Sequence, residues 1–393
     1  MKRLNKFSFS TEEEIIRKKI IHLKKAAGTH SPSIQTIIEL IPELNIKVDA
    51  CFLSNPYATE LYMNYFKSDV IDQGKLRDLL EFYPSQNSVI AGLVSKAINI
   101  DSNKIFIGNG AIEIIQAIIH RFAREKIVIN IPTFSSYYEF ALENLNVNFF
   151  VLDKELEYNL DIVKYINYIK DVKPDTIVII NPNNPTGNYI IKNDLIRILD
   201  ELSFVENIII DESFIHFAFE DDLYNDITLS NLATTYKNLY IVKSMSKDFG
   251  IAGIRAGYAI MAEDKVQVLL KNGYLWNSNG LAEHFFRLYC LPDFVDKYQI
   301  LRKKYIKETQ EFIRHLEKVP RIKVYSSTAN FVLIELPEGL SAEIVTSILL
   351  IRHSIYVRNC DDKKGLNGNF IRIASRNKED NHRISESLME LFS

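Results

Sequence analysis

The sequence is poor in features that mark several classes of protein. It has only three cysteines, Cys51, Cys290 and Cys360, which are far apart and follow neither a disulfide framework nor a metal-ligand spacing. Such sparse cysteine fits a reducing, cytoplasmic setting. Charge is nearly balanced, because 47 lysines and arginines face 50 aspartates and glutamates. Without a strongly basic face, a nucleic-acid partner is not expected. No bound metal is expected either, because the cysteines lack a metal-ligand spacing.

Long apolar runs are also missing. No run approaches the length of a membrane span. The basic N-terminus is followed by acidic residues 12–14 instead of an apolar segment, which argues against a signal peptide. The 393 residues, 47% of them hydrophobic, are ample for a large core in two or three domains. We therefore expect a soluble cytoplasmic protein with no internal repeat, low-complexity tract or membrane partner.

The chain instead contains apolar, β-branched runs that alternate with helical patterns. Runs of this kind predict strands buried on both faces of a mainly parallel sheet, and so an α/β fold. Functional groups are then expected at the carboxyl ends of the strands, where Asn184, Asp211 and Lys247 all fall. The predicted strands of this region cover residues 105–107, 126–131, 176–180, 207–211, 239–242 and 257–261.

Helix-capping residues and prolines predict where helices begin and end. Ser10 with Glu13 predicts a capping box that opens an N-terminal helix, and we interpret residues 1–50 as an N-terminal helical arm. A helix is predicted over residues 137–144. Pro292 is expected to kink or break a long helical stretch. The predicted domains are a large one over residues 51–285 and a smaller C-terminal α/β domain over residues 286–393.

The segment at residues 243–258, K-S-M-S-K-D-F-G-I-A-G-I-R-A-G-Y, is the richest in chemistry. It places Lys247 among Ser244, Ser246, Arg255 and three glycines. Hydroxyls, an arginine and close backbone approach suit a bound phosphate. Lys247 could then be a point charge on that phosphate, an amine that forms a Schiff base with a carbonyl cofactor, or a solvated loop lysine.

Four further patterns lie at other strand ends. Gly110 and Ala111 join a strand to a helix, as an anion site or as an ordinary turn, but without the dinucleotide fingerprint. Asp211 closes an apolar run and needs a partner, either a structural arginine or a protonated ring nitrogen. Asn184 lies in Asn-Pro-Thr-Gly, which suits a donor to a cofactor or simply a turn. Phe134 follows Pro-Thr and either stacks on a ring or belongs to the core.

These patterns occur in one order: a glycine turn, Asn-Asn-Pro-Thr-Gly, Asp-Glu-Ser-Phe, then Ser-x-Ser-Lys with an arginine eight residues on. From about residue 50 to the C-terminus, the sequence resembles the fold-type I pyridoxal-phosphate enzymes of the class I/II aminotransferase group. It is similar to the branch of histidinol-phosphate aminotransferase and threonine-phosphate decarboxylase. The resemblance implies an aspartate aminotransferase-like fold, in which helices sandwich a mainly parallel seven-stranded sheet, and the cofactor pyridoxal 5′-phosphate.

The resemblance also implies roles around the cofactor. Lys247 would form the Schiff base and act as the acid/base. Asp211 would hold the pyridine nitrogen and Asn184 the phenolic oxygen, while Phe134 would stack on the ring. The cofactor phosphate would be bound by Gly110, Ala111, Ser244, Ser246 and Arg255.

Substrate and subunit roles follow in the same way. Arg372 matches an arginine that clamps a substrate carboxylate, and Arg358 matches a second substrate-anion arginine. A surface salt bridge is the alternative for both. Arg376 is a further substrate candidate, and Asn55 is expected to line the substrate pocket. Tyr83 matches a tyrosine that reaches the cofactor phosphate of a neighbouring subunit, which implies a homodimer with shared active sites.

Some motifs are similar to the aminotransferase branch and others to the decarboxylase branch. Asp-Glu-Ser-Phe, the segment from Trp276 to Ala282, and Arg376 are similar to the decarboxylase branch. The decarboxylase-like motif ends in Phe214, where many aminotransferases have a tyrosine that helps to hold the phenolic oxygen. The segment with Lys247 is more similar to the aminotransferases.

Three hypotheses follow. The first is an aminotransferase acting on a small phosphorylated amino compound, since three arginines suit a doubly anionic substrate. The alternative is a decarboxylase of L-threonine phosphate or L-serine phosphate. One site can support either reaction, because the bond at the α-carbon that lies perpendicular to the cofactor ring is the one that breaks. The remote alternative is a catalytically silent binding or regulatory protein, against which the intact pair of Lys247 and Asp211 argues.

Overall fold

The computed structural model describes residues 6–219, 227–274 and 276–393. Its strands are β1 (Val48–Ala50), β2 (Ile105–Asn109), β3 (Lys126–Ile131), β4 (Asn146–Val151), β5 (Thr176–Ile180), β6 (Asn207–Asp211), β7 (Leu239–Ser244), β8 (Ala256–Ile260), β9 (Lys323–Val324), β10 (Phe331–Glu335), β11 (Ile355–Asn359) and β12 (Phe370–Ala374).

The α-helices of the described residues alternate with these strands. They are α1 (Thr11–Ala26), α2 (Ile34–Leu40), α3 (Pro56–Phe66), α4 (Leu76–Glu81), α5 (Asn87–Ile98), α6 (Ala111–Phe122), α7 (Ser136–Glu139), α8 (Ile162–Val172), α9 (Lys192–Glu201), α10 (Glu263–Lys271), α11 (Gly280–Tyr289), α12 (Pro292–Leu316), α13 (Ala342–His353) and α14 (Lys378–Phe392). No helix in this part of the chain is long and apolar enough to cross a membrane.

The described residues divide into two compact units. The first contains the chain up to Leu53, Pro185–Gly187 and Lys307–Ser393. The second contains Ser54–Asn184 and Asn188–Ile306. The N-terminal segment shares a unit with C-terminal residues because β1 pairs in parallel with β11. The three predicted domains, residues 1–50, 51–285 and 286–393, remain a prediction.

A seven-stranded sheet forms the centre of the second unit, in the order β2-β8-β7-β6-β5-β3-β4. Strands β4, β3, β5, β6 and β7 pair in parallel, and β8 is antiparallel to both of its neighbours. The α6 helix buries its apolar face against this sheet. The predicted fold, a mainly parallel seven-stranded sheet with flanking helices, is confirmed.

One strand was missed by the sequence reading. The helix predicted over residues 137–144 is confined to Ser136–Glu139, and the chain then enters β4. This strand pairs only with β3 among the described strands, and polar Asn146 and Asn148 interrupt its apolar residues. Because β4 lies at the edge of the sheet, it does not need the continuous apolar run of a strand that is buried on both faces. The pattern that predicts the other strands is therefore absent from β4.

The topology brings several strand ends to one edge of the sheet. Because β8 is antiparallel to both β2 and β7, β2 runs in the same direction as the five parallel strands. The carboxyl ends of β2, β3, β5, β6 and β7 therefore share an edge with the beginning of β8. The register agrees, since Asn109 pairs with Ala256, Ser244 with Gly257 and Ile180 with Asp211.

The first unit has a five-stranded sheet in the order β1-β11-β12-β10-β9. Its N-terminal helix α1 begins with the predicted capping box: Glu13 N donates to Ser10 Oγ (3.2 Å), and Ser10 N donates to Glu13 Oε2 (2.8 Å). Arg17 of α1 forms an ion pair with Glu343 of α13 at 2.6 Å. Apolar residues of α1 pack against a buried cluster that includes Ile37 and Ile41. The N-terminal helix is thus fastened by both charge and apolar contacts.

The predicted interruption of the helical stretch at Pro292 is confirmed. Helix α11 ends at Tyr289 and α12 begins at Pro292 itself. A proline fits the first turn of a helix because the amide it lacks would have no partner there.

Candidate active site

The shared edge of the seven-stranded sheet collects the cofactor residues predicted from the sequence, with the exception of Tyr83. Each lies on a strand end or on the turn that follows or precedes it. Gly110 and Ala111 follow β2, Phe134 follows β3, Asn184 follows β5, Asp211 ends β6, Ser244, Ser246 and Lys247 lie at the end of β7, and Arg255 precedes β8.

The turn from β2 into α6 has the form of an anion cradle. Gly110 has φ +76°, and a Cβ on it would lie 2.4 Å from Nη2 of Arg255. A Cβ on Gly257 would lie 2.8 Å from the amide nitrogen of Ala111. Absence of side chains thus lets the Arg255 guanidinium lie against the N-terminus of α6. Both carry positive potential, and an anion placed there would gain from both.

Two buried serines add hydroxyls at the end of β7. Ser244 and Ser246 are 6% and 3% exposed. Ser246 N donates to Ser244 Oγ (3.2 Å), and Ser244 N donates to Ser213 Oγ (3.1 Å). These hydroxyls, the α6 N-terminus and the arginine form the donor set that a phosphate group requires.

Asp211 is a buried carboxylate, 4% exposed. Its Oδ2 accepts from the Tyr137 hydroxyl (2.9 Å) and its Oδ1 from the Ser213 amide (2.9 Å). Burial raises the pKa of Asp211 against the opposing effect of these hydrogen bonds. Burial, and then the charge of Asp211, raise the pKa of Tyr137 well above its ordinary value, so the phenol remains a donor. Both of these hydrogen-bond donors to Asp211 are neutral, so they leave the negative charge of the carboxylate available to a cationic ring nitrogen.

The backbone around Lys247 is held by Asn55, which is fully buried. Asn55 N donates to Lys247 O (2.9 Å), and Asn55 Nδ2 donates to Asp248 O (3.2 Å). Asn55 Oδ1 caps α3 by accepting from Tyr57 N and Ala58 N. Both side-chain polar atoms of Asn55 are thus used inside its own unit, and its expected place in the substrate pocket stays a prediction.

A buried charge network lies next to Lys247. Oδ2 of Asp248 is 3.0 Å from Lys243 Nζ and 2.5 Å from His216 Nδ1. Burial alone would raise the pKa of Asp248, but Lys243 and His216 outweigh it and lower that pKa. Burial, and then Lys243, lower the pKa of His216 to about 4, so the imidazole is neutral near pH 7. Asp248, the residue after Lys247, is therefore held in place by its ion pair with Lys243.

The remaining cofactor candidates lie on two loops that are tied together. Thr133 Oγ1 donates to Asn183 Oδ1 (2.8 Å), and Asn183 Nδ2 donates to Pro132 O (2.9 Å). These bonds connect the loop with Phe134 to the loop with Asn184. Asn184 is buried, and Phe134 is half-buried and packs on the apolar cluster of this unit. Its contact with a ring stays a prediction.

All three candidate substrate arginines lie in the first unit, and two of them are directly opposed. Arg358 of β11 and Arg372 of β12 are paired across an antiparallel ladder and are 5% and 8% exposed. Arg358 Nη2 donates to Asp362 Oδ2 (2.7 Å) and to Thr29 O (2.7 Å), while Arg372 Nη2 donates to Cys51 O (2.7 Å). Arg358 does form an ion pair, but a buried one.

Arg376 and Tyr83 have different surroundings from these two. Arg376 is half-buried, and its backbone amide donates to Asn381 Oδ1 (2.6 Å). Tyr83 is 90% exposed, with its ring centroid 6.3 Å from that of Trp276. Their predicted roles toward substrate and toward a neighbouring subunit stay predictions.

The sequence reading missed the residues that support the site from behind. Tyr137 lies in helix α7, inside the predicted helix, and its hydrogen bond to Asp211 follows only from the fold. Asp248 and His216 are likewise absent from the predicted site, although Asp248 directly follows Lys247 in the chain. A buried Asp beside the candidate nucleophile was a usable indication, whereas His216 joins it only through the fold.

A lysine, a buried carboxylate and an anion cradle at one edge of such a sheet define a pyridoxal-phosphate enzyme of the aspartate aminotransferase-like fold. The family model described as aminotransferase class I and II matches residues 72–388. The chain belongs to this family, and its cofactor is pyridoxal 5′-phosphate. The glycine cradle and the neutral donors around Asp211 fit that cofactor.

Comparison with individual proteins separates two groups of relatives. An L-serine phosphate decarboxylase of Campylobacter jejuni is 57% identical over 97% of both chains. The solved structure of a decarboxylase from Sulfurospirillum multivorans has a TM-score of 0.92 and 43% identity over 97% of both chains. The histidinol-phosphate aminotransferase of Clostridium acetobutylicum has a TM-score of 0.76 and 31% identity, over 88% of this chain and 98% of its own.

The cradle gives a first prediction. Gly110→Ala is expected to destabilise the protein by roughly 1–3 kcal/mol and to weaken cofactor binding, because the new Cβ meets Arg255 and φ is positive. Gly92→Ala is the matched control, since a Cβ at this site in α5 has no neighbour within 4 Å. It is expected to stabilise by about 0.5–1 kcal/mol. Denaturant unfolding and cofactor titration measure both. Equal stability and cofactor affinity in the two variants would contradict the cradle.

Proposed function

We propose that this protein is a pyridoxal-phosphate-dependent decarboxylase of L-serine phosphate. The observation that carries the proposal is the 57% identity to an L-serine phosphate decarboxylase over nearly the whole of both chains. The histidinol-phosphate aminotransferase of Clostridium acetobutylicum is 31% identical. Transamination, the first hypothesis from the sequence, therefore has support at the level of the family, and the alternative is the better supported one.

Different residues of the chain have different roles toward the cofactor. When bound, the cofactor draws electrons from the bonds at the amino-bearing carbon of the substrate. Asp211 would keep the ring nitrogen protonated, Asn184 would donate to the phenolic oxygen and Phe134 would stack on the ring. Lys247 would hold the cofactor covalently in the absence of substrate. Gly110, Ala111, Ser244, Ser246 and Arg255 would bind the cofactor phosphate.

The reaction breaks the bond between the carboxylate and the α-carbon. Carbon dioxide leaves, the electron pair stays with the α-carbon, and a proton replaces the carboxylate. In our proposal Lys247 delivers that proton as general acid. The product from serine phosphate is ethanolamine phosphate. No amino acceptor is consumed, which separates this reaction from transamination.

The two anionic ends of the substrate need two cationic binding groups. We assign Arg372 to the carboxylate and Arg358 to the phosphate, with Arg376 as a further contact. Burial supports this assignment, because Arg358 and Arg372 are shielded from water and bind anions more strongly there than exposed arginines would. Orientation of the carboxylate decides which bond breaks.

A homodimer belongs to the proposal. Near Tyr83, the second unit exposes Leu80, Phe82 and Trp276, which are 74%, 64% and 55% exposed. Exposed apolar side chains in such a group mark an interface more often than a free surface. In our proposal Tyr83 binds the cofactor phosphate of the partner subunit. Sedimentation equilibrium is expected to give twice the chain mass of 45.4 kDa, and a monomer would contradict this part.

The function is tested by a substrate screen of the cofactor-loaded enzyme. Serine phosphate, threonine phosphate and histidinol phosphate are each supplied with and without a keto acid. We expect carbon dioxide from serine phosphate without any acceptor, and no turnover of histidinol phosphate. Strict dependence on the keto acid would sink the proposal and restore the aminotransferase hypothesis.

A further inference from the structure

Arg358, to which we assign the substrate phosphate, is held by a polar network inside the first unit. It is 5% exposed and lies opposite Arg372 in the β11–β12 ladder, where like charges repel. Its Nη2 donates to Thr29 O (2.7 Å) and to both carboxylate oxygens of Asp362, Oδ1 at 2.9 Å and Oδ2 at 2.7 Å. These bonds fix the plane and direction of the guanidinium group.

The other terminal nitrogen of Arg358 is free to serve a ligand. Nη1 is buried and makes no hydrogen bond to any described residue. A buried donor without an acceptor is costly, so an anion that reaches Nη1 removes this cost on binding. Because the guanidinium group is planar and rigid, the bonds at Nη2 decide where such an anion must lie.

Lys24, near the end of α1, organises both acceptors of this Nη2 group. Its Nζ donates to Asp362 Oδ2 (3.0 Å). Its other two bonds go to the carbonyl oxygens of Gly28 (3.1 Å) and His30 (3.0 Å), which flank Thr29 in the chain. An ammonium group has three donors, and all three are used here. One side chain thus holds the carboxylate and the loop that together orient the arginine.

Electrostatics strengthen this arrangement. Burial alone would raise the pKa of Asp362, but Arg358 and then Lys24 outweigh it and lower that pKa. The carboxylate is therefore ionised near pH 7 and attracts both cations. An arginine that is ordered in advance does not pay the entropy cost of becoming ordered when a ligand binds.

Fastening α1 to the unit is the structural alternative for Lys24, but α1 has other attachments. Arg17 of α1 pairs with Glu343 at 2.6 Å, and Glu13 pairs with Arg352 at 2.7 Å. Apolar residues of α1 also pack on a buried cluster. The helix lies outside residues 72–388, which match the family model, so the family pattern does not account for this lysine.

We propose that Lys24 is a positioning residue for substrate binding. It orients Arg358 toward the substrate phosphate through the carboxylate and the loop carbonyl that accept from Nη2. The proposal rests on the proposed function, which assigns the phosphate to this arginine. It gives the N-terminal helix a part in binding the substrate.

The test compares two neighbouring lysines of α1 by titrating inorganic phosphate into the cofactor-loaded enzyme. Isothermal titration is expected to show affinity about tenfold weaker in K24M, because both acceptors of Arg358 lose their common donor. K25M is the matched control, since Lys25 is exposed and next in the same helix. It is expected to bind phosphate within about twofold of the wild type.

Steady-state kinetics with serine phosphate give a second readout. In K24M the KM is expected to rise about tenfold while kcat stays within about twofold, because the phosphate is held alike before and during the reaction. A lysine that supports the whole site would instead change both constants.

A double-mutant cycle shows whether Lys24 acts through the arginine. In an R358M background, K24M is expected to weaken phosphate binding by no more than about twofold further, whereas an independent role would give the same loss in both backgrounds. K24R keeps the positive charge, but it cannot direct three bonds from one nitrogen, so we expect affinity about threefold weaker or more. If K24M or R358M does not fold, K24R decides the question.

The outcomes separate the two proposals. Unchanged or tighter phosphate binding in K24M, equal losses in the two backgrounds, or full affinity in K24R would overturn the role of Lys24. Weaker phosphate binding in K24M, together with no carbon dioxide from serine phosphate in the wild type, would support that role and reject the proposed function.

Discussion

Lys247→Ala is expected to reduce carbon dioxide release from serine phosphate by roughly 10⁴-fold or more, because the general acid and the covalent attachment of the cofactor are lost together. The absorbance band of the covalently bound cofactor is expected to disappear as well. Stopped assays of carbon dioxide and an absorbance spectrum of the dialysed protein measure the two effects.

The matched control is Lys237→Ala, which removes an exposed lysine just before β7. It is expected to leave activity, absorbance and stability unchanged. Retention of the absorbance band in Lys247→Ala would show that another amine holds the cofactor. Such a result would remove the basis for reading residues 243–258 as the catalytic segment.

Asp211→Asn is expected to lower kcat by about 10²–10³-fold, because the amide cannot hold a proton on the ring nitrogen through charge. The side chain keeps its size, so folding is expected to survive. Cofactor is expected to bind more weakly, since the cationic nitrogen loses its partner. Steady-state kinetics and cofactor titration separate the effect on turnover from the effect on binding.

Tyr137→Phe is the companion variant for this carboxylate. It deletes the hydroxyl that donates to Asp211 Oδ2 and leaves the charge in place. We expect a loss of about tenfold or less, in keeping with one hydrogen bond to a charged group. A larger loss in Tyr137→Phe than in Asp211→Asn would mean that the phenol, and not the carboxylate, is the important group.

Much of the fold could be predicted because its central strands are buried on both faces. Doubly buried strands show as continuous apolar runs, and β3, β5 and β6 begin and end as the sequence predicts. The edge strand β4 lacks such a run. Strand β1 pairs with β11, far along the chain, and no local pattern carries that partnership.

The candidate site likewise contains residues that the sequence pattern predicts and residues that only the fold brings together. The residues to which we assign cofactor chemistry lie at strand ends, where a polar residue after an apolar run is conspicuous. Asp211 and Lys247 are of this kind. Supporting residues such as His216 reach Asp248 only through tertiary packing.

Product analysis tests the central claim most directly. The cofactor-loaded enzyme is incubated with serine phosphate labelled at the carboxyl carbon, without any keto acid, and both products are counted over many turnovers. Our account predicts equal amounts of labelled carbon dioxide and ethanolamine phosphate. Retention of the label in a keto product, formed at no more than one equivalent per active site, would contradict it.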